Sequence, residues 1–292
     1  MRLLRYDNVA TFAARAEPLL LAREAEHCLA IGIVTTLRRG EMSSAASPYL
    51  AVVVDEQGGV VEAVIATPLN NLILSQLAAG SETAAAEIIR LVVEDACAAL
   101  PDLPGVLGPP DLGRRFAEQW ERLTGQGARV DAHERIYRLE QVRPQRPVAG
   151  AMRRIEEADR PVLREWLNAF WIEALGLPGH LRVDDDINRR LRFESSGMYL
   201  WQHGADAVSL AGYGGPTPHG ARVGPVYTPL EARGHGYASA LVATLSQLLL
   251  DEGRQAIYLF TDLANPTSNH IYQEIGYEPV VDITTYQFQP IS

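Results

Sequence analysis

Val226-Tyr227-Thr228-Pro229-Leu230-Glu231-Ala232-Arg233-Gly234-His235-Gly236-Tyr237-Ala238 carries an apolar strand through a glycine-rich turn into a helical pattern that runs to Asp251. A strand, a turn without side chains and a helix N-terminus bring several unpaired backbone N–H groups and a positive dipole end to one point. Such a point suits an anion. Three common glycine loops share this geometry. A Walker loop needs Lys followed by Ser or Thr after its last glycine, where Tyr237-Ala238 stands; a dinucleotide fingerprint needs a third glycine where Ser239 stands. What remains is Arg233-x-x-Gly236-x-Ala238, a pattern that a plain tight turn into a helix would also satisfy.

A second segment follows about thirty residues on. Ala256 to Thr261 reads as a buried strand, and Asn265-Pro266 opens a helix with Asn as N-cap and Pro in the first turn. Asn265, Asn269 and Tyr272 fall at i, i+4 and i+7 on one face. Gly276 ends the helix, and Tyr277-Glu278-Pro279 leads into a last strand from Val280 to Phe288. Read singly, Arg233 is a solvated charge, Asn265 a cap, Asn269 a solvent-facing amide and Tyr272 a core aromatic with its hydroxyl at the rim. His270 falls outside the pattern, and no metal-ligand spacing connects the seven histidines.

Together these residues resemble the GNAT superfamily of N-acetyltransferases. Arg233-x-x-Gly236-x-Ala238 matches that family's (Gln/Arg)-x-x-Gly-x-(Gly/Ala) loop, and Asn265-Pro266 through Tyr272 to Gly276-Tyr277 is similar to the end of its fold. The resemblance implies acetyl-coenzyme A as co-substrate, with no metal. It places the coenzyme against Val226, Tyr227, Arg233, Gly234, His235, Gly236, Tyr237, Ala238, Asn265, Asn269 and Tyr272. The implied chemistry is direct attack of an amine on the thioester, without a covalent enzyme intermediate. Tyr272 matches the family's tyrosine that protonates the departing thiolate, and a backbone N–H at Val226 would stabilise the thioester oxygen. In the family this central strand splays from its neighbour and the pantetheine arm fills the gap.

An attacking amine must be neutral, yet an alkyl ammonium titrates near about 10.4, so a base or a water chain has to take its proton. Glu173, in Phe170-Trp171-Ile172-Glu173, is the candidate base or amine anchor, because aromatic neighbours can raise a carboxyl pKa. An exposed helix carboxylate is the competing reading. Phe170, Trp171, Tyr213 and His219 are the candidate acceptor contacts, the acceptor being a small-molecule or peptide amine. Asp184-Asp185-Asp186 reads as a helix-capping acidic turn.

The boundary between halves falls in Gln141 to Gly150, a polar stretch with two prolines. From Met152 the pattern reads strand, helix to Leu175, helix near Asp184 to Glu194, strands at Met198 to Gln202, Ala207 to Tyr213 and Arg222 to Tyr227, helix to Asp251, then strand, helix and strand. Pro225 inside the central strand points to a bulge or an unpaired N–H. The first half echoes this order, with helices between Thr11 and Arg39, strands at Tyr49 to Val54, Val60 to Thr67 and Leu72 to Ser75, and a helix from Glu82 to Leu100. At the loop position stands Gln76-Leu77-Ala78-Ala79-Gly80-Ser81, where the Cβ of Ala79 replaces a glycine and would crowd a phosphate. The expected fold is therefore α+β: two GNAT-like domains, each a mixed, mostly antiparallel sheet flanked by helices. Residues 1–143 form a degenerate domain without a coenzyme site, and 150–292 the catalytic one.

Composition agrees. The chain has 292 residues, enough at 47 % hydrophobic for two cores, and a formal net charge of −10 that disfavours nucleic acid and suits a cationic or neutral amine. No signal-peptide stretch opens it and no run of about twenty apolar residues crosses a membrane, so a cytoplasmic protein is expected. Cys28 and Cys97 lie in apolar helical patterns and read as packed thiols. The internal pair of domains leaves monomer and homodimer open. Two other readings stay open: a non-catalytic acyl-coenzyme A sensor, and an acyltransferase with a larger donor or acceptor.

Overall fold

The computed structural model describes residues 1–42, 47–175 and 183–289. One order of elements occurs twice. The first half runs β1 (Arg2–Arg5), α1 (Val9–Leu21), α2 (Cys28–Arg38), β2 (Tyr49–Val54), β3 (Val60–Ala66), β4 (Leu72–Leu74), α3 (Ala85–Ala99), β5 (Gly105–Gly108), α4 (Pro110–Thr124) and β6 (Ala128–Leu139). The second runs β7 (Ala151–Arg154), α5 (Arg160–Leu175), α6 (Val183–Arg192), β8 (Gly197–His203), β9 (Asp206–Gly214), β10 (Gly220–Tyr227), α7 (Tyr237–Asp251), β11 (Ala256–Asp262), α8 (Pro266–Ile275) and β12 (Glu278–Phe288). In each half the first four strands pair antiparallel in sequence, and the fourth pairs parallel with the fifth.

The strands are apolar on both faces because each sheet is covered twice. Along β2, Tyr49, Ala51 and Val53 pack into a core shared with α3 and α4, whereas Leu50, Val52 and Val54 pack into one shared with α1 and α2. This is the two-residue alternation of a strand with helices on either side. In the second half Met198, Leu200 and Leu210 face α5 and α6, and Trp201, Ala211 and Tyr213 face α7 and α8. The fold is thus α+β with two GNAT-like domains, each a mixed sheet between helical layers.

Packing and sequence order divide the chain differently at its closing strands. One compact unit comprises Met1–Ile136 and Thr261–Asn265 with the chain from Val280 onward; the other comprises Tyr137–Phe260 and Pro266–Pro279. Within the first unit β12 pairs antiparallel with β5, from Thr284↔Gly108 to Gln287↔Gly105. Gly105 has no room for a Cβ, which would strike the carbonyl of Tyr286, and Phe288 stacks on Trp120 at 4.8 Å. Tyr137 and Leu139, at the end of β6, belong to the core of the second unit.

Candidate active site

β10 is irregular along both edges. Against β9 its register runs Arg222↔Gly214 and Val223↔Tyr213, then Val226↔Ala211 and Tyr227↔Leu210, so β10 carries one extra residue. The bulge contains Gly224, at φ 149°, and a cis Gly224–Pro225 bond. Against β11 the parallel ladder spans only Gly220↔Ala256 to Arg222↔Tyr258. From Val223 to Tyr227 that edge of the backbone has no ladder partner among the described residues, which is the opening Pro225 pointed to.

β10 delivers the chain to the glycine turn. A 3-10 turn at Leu230–Ala232 leads to Arg233 in extended conformation, and Gly234 (φ 81°) and Gly236 (φ 80°) then hold left-handed geometry that side chains resist. Gly236 caps α7; a Cβ there would press on Val148 Cγ2 at 3.3 Å. No side chain caps the first turn of α7, and the first helical bond runs from Ala240 N–H to the Gly236 carbonyl at 3.0 Å. Among the described residues, the amides of Gly234, His235 and Gly236 donate to no carbonyl. A concave set of N–H donors therefore stands at the positive end of the α7 dipole.

Three expected site residues meet beside this cradle. Arg233 Nε donates to the Thr228 carbonyl at 2.9 Å, and its Nη2 donates to Glu173 Oε2 at 2.6 Å. The Tyr227 hydroxyl donates to Glu173 Oε1 at 3.3 Å, and the Arg233 guanidinium lies 5.9 Å from the centre of the Tyr227 ring. Burial and the Glu173 carboxylate push the Tyr227 phenol up, keeping it a donor. His235 stacks on Tyr237 at 5.5 Å, and the Tyr237 hydroxyl contacts His203 Nδ1 at 3.1 Å. His203 sits at the end of β8, where no motif marks it.

α8 supplies the other set. Asn265 immediately precedes Pro266, the first residue of α8, and its N–H closes a tight turn onto the Asp262 carbonyl at 3.0 Å. Asn269 Oδ1 accepts from the hydroxyl of fully buried Tyr137 at 3.0 Å, and that hydroxyl accepts from Gln273 Nε2 at 3.1 Å. Tyr272 is 9 % exposed, edge-on to Tyr277 at 5.9 Å, and Tyr277 in turn bonds Ser246 at 2.8 Å. Burial pushes the Tyr272 phenol up to about 12, so it stays protonated at any physiological pH. Its hydroxyl has no hydrogen-bond partner among the described residues, leaving the donor uncommitted.

Other expected contacts lie elsewhere. Tyr213 donates to the Glu194 carbonyl at 3.1 Å and carries the Arg254 guanidinium over its ring at 5.4 Å; the His219 carbonyl accepts from the amides of Gln255 and Ala256. Arg254 to Ala256 follow the C-terminal end of α7, whose fifteen residues span roughly 22 Å from the cradle. His219, just before the first residue of β10, is therefore at the far end of that strand from Arg233, whereas Tyr213 pairs with Val223 next to the bulge. Phe170 and Trp171 meet edge to face at 5.6 Å on α5, within one turn of Glu173, and Trp171 packs on the α5–α6 core. Asp184 pairs with Arg164 at 2.7 Å, and that guanidinium holds its carboxyl below the usual range.

In the corresponding loop of the first unit, Gln76 to Ser81, several amides are bonded within the unit. The Gln76 amide donates to His27 Nε2 at 2.9 Å, Ala78 N–H to the Val61 carbonyl at 2.9 Å and Ser81 N–H to the Ala78 carbonyl at 3.0 Å. Three amides of this loop are thus already engaged. A cavity of about 410 Å³ lies there, between α1 and residues 76 to 79.

A mixed sheet, a bulged strand with one free edge and a glycine cradle at a helix N-terminus thus occur together in the second half of the chain. The profile described as Acetyltransferase (GNAT) family matches residues 160–277 of the chain. Solved structures extend the likeness in fold to the whole chain. A Drosophila protein is 11 % identical with a TM-score of 0.70, covering 99 % of each chain. A GCN5-related N-acetyltransferase from Sphaerobacter thermophilus is 14 % identical with a TM-score of 0.62, covering 99 % of this chain and 96 % of its own. A tandem GNAT protein from the clavulanic acid biosynthesis pathway is 15 % identical with a TM-score of 0.55 over 100 % of both. No curated protein matches the sequence significantly. Among the described residues no helix is long and apolar enough to cross a membrane, and no cluster of His, Cys, Asp or Glu could hold a metal ion.

Proposed function

We propose that the second half of this chain transfers an acetyl group from acetyl-coenzyme A to an amine of a small molecule or peptide by direct attack. The observation that carries this reading is the alignment of three features on one strand and its flanking helices. The free edge of β10 beyond Arg222 leads into the uncapped amides of Gly234 to Gly236, and Tyr272, on α8, keeps an uncommitted phenol in the core that Val226 and Tyr237 share. The coenzyme would supply the acetyl thioester and the leaving thiolate. The cradle amides, Arg233 and the α7 dipole bind its diphosphate, with Asn269 on α8 lining the same coenzyme. The Val226 N–H bonds the oxygen on which charge develops.

Glu173 has two partners to serve. Without coenzyme it neutralises Arg233; once a diphosphate takes the guanidinium, the carboxylate is released to accept a proton from the incoming ammonium. Tyr272 acts mainly as a hydrogen-bond donor to the departing sulfur. Handing its proton over fully, from a pKa near 12 to a thiol near 8.5, is uphill by about 3.5 units or about 5 kcal/mol. A hydrogen bond lowers the barrier without that transfer.

The test is thiol release from acetyl-coenzyme A with a panel of amines, for wild type and Tyr272→Phe. Amine-dependent release that falls in the variant supports the reading. Tight coenzyme binding with no release for any amine would instead make the chain a binding module.

A further inference from the structure

Arg190, on α6, is a cation taken out of water: the residue is 6 % exposed, and desolvation pulls its guanidinium below its usual range. Its Nε donates to Asp186 Oδ2 at 3.0 Å. The remaining bonds go to backbone. Nη1 donates to the carbonyls of Gly197 on β8 at 3.1 Å and Tyr213 on β9 at 2.9 Å, and Nη2 donates to the carbonyl of Gly224 on β10 at 3.1 Å. Space for the fork is reserved, because a Cβ on Gly212 would collide with Nη1.

Stability alone is a poor reason for this arrangement. Replacing a buried ion pair by apolar groups of similar volume is commonly neutral or stabilising, since desolvation offsets the Coulomb gain. What the guanidinium does here that an apolar side chain cannot is bond the three carbonyls at fixed angles. One of them, Gly224, is the bulge residue, and it lies just past Arg222, where the β10–β11 ladder stops.

We infer that Arg190 is a positioning residue which, by bonding the Gly224 carbonyl, fixes the β10 bulge and so aims the backbone from Pro225 to Tyr227 at the acyl group. This rests on the reading of β10 as the acyl-binding strand. A misplacement of about 1 Å at a reacting group costs on the order of a hundredfold in rate, so a shifted bulge would be felt in turnover without touching the cradle at α7.

The experiment compares full-length wild type, Arg190→Met and Asp186→Asn by calorimetry with two probes. 3′,5′-ADP reports the cradle alone, and acetyl-coenzyme A also reports the strand; backbone amide exchange is followed over 222–229 and 237–251. In Arg190→Met the 3′,5′-ADP affinity should hold within about twofold, while the preference for acetyl-coenzyme A over 3′,5′-ADP falls at least tenfold. Exchange should rise in 222–229 and not in 237–251. Asp186→Asn leaves the three carbonyl bonds and should keep that preference. If Arg190→Met does not fold, Arg190→Lys is read in its place, its single ammonium nitrogen lacking the fork that spans the three carbonyls. An unchanged preference, or both probes weakening together with exchange rising throughout, overturns the inference. Binding of neither probe by wild type would sink the acetyltransferase reading; localised exchange in 222–229 would then still report the clamp.

Discussion

Replacing Glu173 by Gln separates two roles that one carboxylate is asked to play. The substitution keeps the side chain's size and an oxygen to accept from Tyr227, and removes the charge that pairs with Arg233 at 2.6 Å. Both partners are 43 % exposed, so solvent screens the pair into the range of about 0.2–1 kcal/mol. If the coenzyme diphosphate has to displace Glu173 from Arg233, the variant should bind acetyl-coenzyme A more tightly, by no more than about fivefold. If the same carboxylate takes the proton of the attacking ammonium, turnover should fall by about 10²–10⁴. The remaining activity should climb with pH toward the amine's own pKa near about 10.4, because the substrate then arrives already neutral. Calorimetry gives the first quantity and a thiol-release pH profile the second. Weaker coenzyme binding in Glu173→Gln would refute the exchange at Arg233, and unaltered turnover would refute the proton acceptor.

Tyr272→Phe should depress turnover while coenzyme affinity stays near wild type, because the ring packing is kept and only the uncommitted donor is lost; equal turnover removes Tyr272 from the mechanism. Glu62, on β3, should show itself in stability. Its carboxyl is fully buried, accepts from the Ser75 amide and hydroxyl at 2.7 and 2.8 Å, leaves Oε2 without a partner, and is pushed by burial up to about 8 from an ordinary 4.5. A folded-state pKa above the unfolded one means that its contribution is full below about 4.5 and is lost as pH rises through about 8, a span on the order of a few kcal/mol. Melting curves at pH 5, 7 and 9 should therefore slope downward more steeply for wild type than for Glu62→Gln; parallel slopes would show that the buried acid does not titrate. In Arg190→Met the two ligand probes should part as described above.

Much of the fold is legible because hydrophobic period reports how a segment is covered. Tyr49 to Val54 and Ala256 to Thr261 read as buried strands since helices lie on both faces, and Pro225 marks the bulge because it has no N–H to give a ladder. The glycines at 234 and 236 announce positive φ for the same local reason. Long-range pairing is not encoded locally. Nothing in Phe170 to Glu173 says that the carboxylate will reach Arg233, sixty residues on, because sheet register and the tilt of α5 decide it. Arg190 sits among Arg189 and Arg192 and looks like part of a solvated face, yet it is the one that turns inward. His219 suited a substrate wall by residue type, but it lies just before β10, at the end away from Arg233, while the register sets Tyr213 opposite Val223 beside the bulge. The pairing of β12 with β5 was also beyond a reading that takes the halves one after the other.

The central claim is that the turn from Arg233 to Ala238 cradles the coenzyme, and calorimetric titration with acetyl-coenzyme A of wild type beside Gly236→Trp tests it most directly. Gly236 holds φ 80°, and even a Cβ there meets Val148, so an indole would fill the cradle and strain the cap of α7. One-site micromolar binding by wild type, lost in a variant that keeps its circular dichroism spectrum, is the predicted result. Equal binding by both proteins, or none by either, would contradict the account and leave the glycine turn as no more than the start of a helix.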